Sequence, residues 1–97
     1  MSCGSVEVSE PPPSGTVPID DGEFHKLEGS VKVTCSSQVN VTCYATPAEQ
    51  INIDCGTVYS YGTETSPSYI GQCGSNGQGG SMDCTVPAGK NVYCKKQ

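Results

Sequence analysis

The sequence predicts an all-β domain, a small antiparallel sandwich or small barrel stapled by disulfides and reached through a disordered N-terminal tether. Three observations carry this. From Gly29 onward apolar residues alternate with polar ones in short runs, which sends successive side chains to opposite faces of a pleated strand. The cysteines share the phase of the apolar residues in those runs. Residue usage favours strands, with ten Val and eight Thr against three Ala and one Leu.

Taken in order, Val31, Val33 and Cys35 fall on one face with Lys32 and Thr34 opposite. Val39, Val41 and Cys43 repeat the pattern against Asn40 and Thr42, and Ile51, Ile53 and Cys55 against Asn52 and Asp54. Met82, Cys84 and Val86 follow with Asp83 and Thr85 outward, and Val92 with Cys94 closes the chain. This phase puts at least five of six sulfurs inward, where bridges can cross-link strands or staple one sheet to another. The breaks have turn chemistry: Ser36-Ser37, Thr46-Pro47, Ser75-Asn76-Gly77, Gly79-Gly80 and Pro87-Ala88-Gly89-Lys90. Six or seven short strands result, a series typical of sandwiches and small barrels.

Composition explains why such a domain needs staples. At 97 residues there is room for one domain, and apolar residues are only 34% of the chain, against an average of roughly 45–50% counted with Gly. Seven cysteines mark a disulfide scaffold, and such bonds persist in oxidising compartments, so the chain is placed outside the cytoplasm. Three bridges at about 2–4 kcal/mol each would match the ~5–15 kcal/mol stability of a whole domain. The net charge of −5 argues against nucleic acid and anionic membrane surfaces, which need clustered Lys or Arg. No run approaches the ~18 apolar residues of a membrane span.

Residues 1–23 read as a tether and 24–97 as the disulfide-rich β domain. The stretch GSVEVSEPPPSGTVPIDDGE holds four prolines and several carboxylates, a composition that buries too little surface to order itself. Pro11-Pro12-Pro13 favours polyproline II at ~3.1 Å per residue, so twenty residues would reach up to ~60 Å. A competing reading makes Ser5–Ser9 or Thr16–Ile19 a short strand added to a sheet edge, in this molecule or a neighbour.

At the far end of the tether, Cys3 is followed by Gly4 and Ser5. This resembles the N-terminus of mature bacterial lipoproteins, which begin at a diacylated cysteine followed by small residues. The resemblance covers three or four residues and implies a lipid on Cys3, membrane contact through that lipid alone, and Met1 as an added start; absence of Asp after the cysteine implies the outer membrane. Setting Cys3 aside leaves Cys35, Cys43, Cys55, Cys73, Cys84 and Cys94, an even six with fifteen possible pairings. The alternative is a free or intermolecularly paired thiol, or a seventh member of the framework.

Val41–Gly56, VTCYATPAEQINIDCG, and Gly80–Val86, GSMDCTV, are similar to polycystic-kidney-disease-type and related immunoglobulin-like surface modules. In those an Ala-x-Pro segment leads into a strand ending in Asp-x-Gly, and a later Gly-initiated strand ends in Thr-Val. The likeness implies an immunoglobulin-like sandwich acting as a spacer or binder, without catalytic residues. The chain departs from the pattern in lacking the aromatic before Asp-x-Gly and in placing Cys at several core positions.

Chemistry is sparse. Successive cysteine gaps of 7, 11, 17, 10 and 9 residues do not fit zinc spacing, and heme attachment needs Cys-x-x-Cys-His, whereas the single histidine, His25, lies ten residues before the nearest cysteine. No Gly-x-Ser-x-Gly elbow appears. His25 reads as a solvated residue at the domain entrance rather than a lone acid or base. Asp20-Asp21-Gly22-Glu23 offers calcium-compatible carboxylates without a binding-loop pattern, and Asn40-Val41-Thr42 is an incidental glycosylation triplet. We therefore expect no enzyme, no cofactor and no metal.

The candidate binding surface is Gly56–Gln72, GTVYSYGTETSPSYIGQ, the longest stretch without clear alternation, carrying Tyr59, Tyr61 and Tyr69. Tyrosines spaced by Ser, Gly and Thr give amphipathic contact at low entropy cost; the structural alternative is that they fill strands and rims of a small sandwich. Ser75–Gly80 reads as a hairpin tip with a type I′ turn at Asn76-Gly77. The leading functional expectation is a non-catalytic surface or periplasmic lipoprotein domain binding a protein or glycan. The alternatives are a structural subunit of an extracellular filament or virion surface, and a small secreted inhibitor or toxin.

Overall fold

The structure, a computed structural model, describes residues 15–97; Cys3, Ser5–Ser9 and the triple proline lie outside the described residues. Nine strands and no helix occur among them: β1 (Thr16–Pro18), β2 (His25–Leu27), β3 (Ser30–Cys35), β4 (Val39–Ala45), β5 (Gln50–Ile53), β6 (Thr57–Ser60), β7 (Ser68–Cys73), β8 (Gly80–Thr85) and β9 (Val92–Lys96). The five runs with clear alternation are β3, β4, β5, β8 and β9, shifted by at most two residues at their ends.

Hydrogen bonding divides the strands into three sheets, ordered β1-β3-β8, β2-β9-β4-β7 and β5-β6, none of which closes on itself. All pairings are antiparallel except β1 on β3. The two larger sheets pack face to face. Val31, Val33 and Cys84 of the first meet Leu27, Val41, Ile70, Val92 and Cys94 of the second in one buried cluster. The β5-β6 hairpin closes the flank of that cluster with Ile51 and Ile53.

The thin core is cross-linked three ways. Cys35–Cys73 joins β3 to β7 and staples sheet to sheet, with Cα atoms 6.1 Å apart. Cys43–Cys94 links directly opposite residues of β4 and β9 within the four-stranded sheet. Cys55–Cys84 ties the hairpin to β8, beside a backbone bond from Asp54 N–H to the Thr85 carbonyl at 2.9 Å. Of the five cysteines that the phase sends inward, Cys35, Cys43, Cys84 and Cys94 are buried and Cys55 is half-buried; Cys73, outside the alternating runs, is buried as well. The three bridges place the folded chain in an oxidising environment outside the cytoplasm. No helix among the described residues is long and apolar enough to cross a membrane.

Two expectations are corrected. Residues 15–23, assigned by composition to the tether, belong to the folded body: Thr16–Pro18 pairs with Lys32–Thr34, and Ile19 is fully buried. The competing edge-strand reading of Thr16–Ile19, made to the chain's own sheet, is the arrangement present. Pro18 is tolerated because β1 is an edge strand, where a missing donor costs no ladder bond. Secondly, Gly56–Gln72 is not one long loop, since β6 and β7 occupy most of it and leave a connection of seven residues, 61–67.

Candidate binding face

The structure separates the three tyrosines that sequence grouped together. Tyr61 is 2% exposed and packs in the core, its hydroxyl without a hydrogen-bond partner among the described residues. Burial pushes that phenol well above its ordinary value, with Tyr59 adding to the effect. Tyr59 is half-buried against Tyr61, with ring centroids 5.7 Å apart. Only Tyr69, 45% exposed, faces outward. For Tyr59 and Tyr61 the arrangement present is therefore filling of the core and its rim.

Tyr69 belongs to a surface that the spacing did not single out, the outer face of β2-β9-β4-β7. Register determines its membership: Lys26 lies opposite Tyr93, Tyr93 opposite Tyr44, Lys95 opposite Thr42, and Thr42 opposite Tyr69. Because Val92 and Cys94 point into the core, Tyr93 and Lys95 must point out; Cys43 and Ala45 impose the same on Tyr44.

Three groups of side chains cover this face. At its centre the Tyr44 and Tyr93 rings stack at 5.1 Å, Phe24 meets Tyr44 edge-on at 4.8 Å, and the Lys95 ammonium sits 4.7 Å from the Phe24 ring centre. Desolvation in this cluster raises the Tyr44 phenol above its ordinary value, with the Glu64 carboxylate and Tyr93 contributing. Toward the other end runs a ladder of amides. Gln38 donates to Gln72 at 2.7 Å, Gln72 to Asn40 at 3.1 Å, and Asn40 to Gln97 at 3.2 Å.

The third group is a cleft of about 300 Å³ beyond Tyr44, lined by Tyr44, Pro47, Ala48, Thr63 and Glu64 among others. Gly62 fixes its rim, because a Cβ there would overlap the Ser66 carbonyl, so the Thr63–Ser66 turn folds back onto the end of β4.

The remaining candidates are structural in this arrangement. His25 is in β2 opposite Cys94 and contacts Asp21 at 2.8 Å. The Glu23 backbone N–H, followed by His25, holds the Asp21 carboxyl below its ordinary value. Asp20 accepts from the Ser36 N–H at 3.0 Å, so two of the three carboxylates of the acidic run are engaged within the fold. No group of three or more metal-ligating side chains forms among the described residues. In the Asn40-Val41-Thr42 triplet, Thr42 is buried and the Asn40 amide is engaged in the ladder.

Asn76 and Gly77 both have positive φ, 54° and 78°, and Ser75 and Gln78 exchange backbone bonds, giving the type I′ turn. The turn connects β7 and β8, which lie in different sheets, so it is a crossover and not the tip of a two-stranded hairpin.

Comparison with known proteins adds no relatives: no family model, curated protein or solved structure matches the chain.

Proposed function

We propose that the chain is a non-catalytic binding domain of the cell envelope or cell surface, anchored through a lipid on Cys3, that engages a protein or glycan partner through the outer face of β2-β9-β4-β7. The observation that supports this most is the concentration of Phe24, Tyr44, Tyr69, Tyr93 and Lys95 on one solvent-facing surface, where none of them is needed to fill the core. Tyr-rich amphipathic surfaces on a rigid frame are efficient contact surfaces, since little side-chain entropy remains to be lost. The disulfides supply that rigidity. The likeness to immunoglobulin-like surface modules, themselves spacers and binders, points the same way.

A photo-crosslinking residue placed at Tyr69 in the native host tests the reading, with the same residue at Thr34 on the opposite sheet as control. Crosslinks from position 69 and not from 34 are expected, on a protein whose intact mass carries lipid at Cys3. Equal labelling from both positions removes the face from consideration, and an unmodified Cys3 removes the anchor.

One observation favours a second reading, the extracellular assembly subunit. β1 shows that the N-terminal segment pairs with a sheet edge, and the same pairing made to a neighbour would join copies. Chromatography across a hundredfold range of concentration distinguishes them, because an assembly subunit leaves the monomer position and an anchored binder does not.

A further inference from the structure

We propose that the partner is an anionic polysaccharide, bound across the outer face of the four-stranded sheet with its carboxylate or sulfate groups at Lys95. This rests on the binding-face reading above and names the ligand class for it.

Charge singles out the face. The chain carries five cations against ten carboxylates, and three of the cations are matched: Lys26 with Glu28 at 3.5 Å, Lys32 with Asp83 at 2.8 Å and Lys90 with Glu49 at 2.8 Å. Lys95 and Lys96 have no carboxylate partner among the described residues; both lie on β9, an interior strand of this sheet, with Lys96 in the inward phase of Val92 and Cys94. Lys95 is on the outer face, held over the Phe24 ring. No carboxylate occupies an outward strand position there; Lys26, Tyr93, Lys95, Tyr44, Thr42, Asn40, Tyr69 and Gln72 are all neutral or cationic. In an acidic protein, an unmatched ammonium on strands that carry no outward carboxylate, with Glu28 held on Lys26 and Glu64 at the cleft end, is where an anionic group docks.

The other groups favour a carbohydrate over a protein. Protein interfaces centre on a well-packed, desolvated patch, yet among the described residues the exposed large hydrophobics are Val58 and Tyr69, and Val58 is away on the β5-β6 hairpin. On the face itself the Phe24, Tyr44 and Tyr93 rings pack against one another. The Gln38–Gln72–Asn40–Gln97 ladder presents amides that both donate and accept, and each has hydrogen-bonding capacity left over. Sugar hydroxyls, which also donate and accept, match such an array. Glu64, beside Tyr44, repels an anion from the cleft end. The ligand is thereby oriented, with neutral hydroxyls toward Pro47 and Glu64 and the anionic group toward Lys95.

The test uses the full chain, disulfides intact and ¹⁵N-labelled, titrated at low salt with oligogalacturonate, heparin fragments and neutral xylo-oligosaccharides. Amide shifts confined to residues 24–26, 40–44, 69–72 and 93–97 are expected with one or both anionic series, and which one separates carboxylate from sulfate. Lys95→Gln should weaken binding roughly tenfold, the worth of one charge-assisted hydrogen bond. Lys95→Arg should retain binding, and Lys32→Gln on the opposite sheet should leave it unchanged. Equal losses from Lys95→Gln and Lys32→Gln, or equal binding of the neutral sugars, overturn the proposal. So does silence with all three probes. If that silence accompanies a protein crosslinked at position 69, the binding face stands with a different ligand; if position 69 also labels nothing, both fall.

Discussion

Two residue pairs occupy equivalent places on the two outer faces of this molecule. Lys32 and Asp83 are direct cross-strand partners on β3 and β8, and Tyr44 and Tyr93 are direct cross-strand partners on β4 and β9. The first pair cancels its own charge at 2.8 Å and leaves a neutral, polar surface. The second stacks at 5.1 Å, recruits Phe24, and holds the unmatched Lys95 ammonium over the Phe24 ring. Both strand pairs have the same geometry, so the contrast lies in side-chain choice alone. One face is self-neutralised, and the other carries a ring cluster and an unmatched cation.

The largest way to break the comparison is to remove the frame that keeps the faces apart. Cys35–Cys73 is the covalent link between the two larger sheets, closing a separation of 38 residues. The double substitution Cys35→Ala/Cys73→Ala is expected to cost about 2–5 kcal/mol, read by urea denaturation. A loss this large with the other two bridges intact would show that sheet-to-sheet stapling, and not burial alone, holds the thin core. A loss under about 1 kcal/mol would return that role to the apolar cluster.

Alkali probes the core that both faces share. The Tyr61 phenol is buried and its folded value lies well above the ordinary 10.0. The sign follows from linkage: its contribution is full below pH ~10, and falls as the unfolded chain ionises while the folded chain stays protonated. At pH 11 the loss is about 1.4 kcal/mol, one unit of proton linkage. Tyr61→Phe should abolish that loss and, because the hydroxyl has no partner among the described residues, leave neutral stability unchanged or raised. Spectroscopic titration should show one of the five tyrosines ionising only on unfolding, and its persistence in Tyr61→Phe would refute the assignment.

These features differ in how far the sequence discloses them. The five alternating strands are legible because Val, Ile and Cys hold one phase over several residues, and the inward sulfurs follow from that phase. β7 is hidden because a bulge opposite Val41/Thr42 makes Tyr69 point out while both Ile70 and Gly71 turn inward, which destroys the period of two. β6 is hidden because it belongs to a two-stranded sheet, leaving Val58 exposed. β1 and β2 have three residues each, and linker-like composition disguises the first. The aromatic face had a readable signal, since Tyr44 and Tyr93 each adjoin an inward cysteine and so face outward. What the chain does not disclose is that Cys43 pairs with Cys94, the fact that sets those tyrosines side by side.

Double-mutant cycles on the two pairs sharpen the comparison at smaller energies. For Tyr44 and Tyr93, substitution to Ala should reveal a coupling of about 0.5–1.5 kcal/mol that is insensitive to salt, as expected of stacked rings.

For Lys32 and Asp83 the coupling should be smaller, about 0.2–1 kcal/mol, because both side chains are well exposed, at 43% and 83%. In water two such charges attract weakly, and long side chains lose entropy in holding one geometry. Screening decides the identity of the effect: at 1 M salt the Debye length is ~3 Å, comparable to the contact itself, so the Lys32→Met/Asp83→Leu cycle should lose most of its coupling. A coupling that survives high salt would mean the pair packs rather than cancels charge, and the Lys32–Asp83 face would then be built on the same physics as the Tyr44–Tyr93 face.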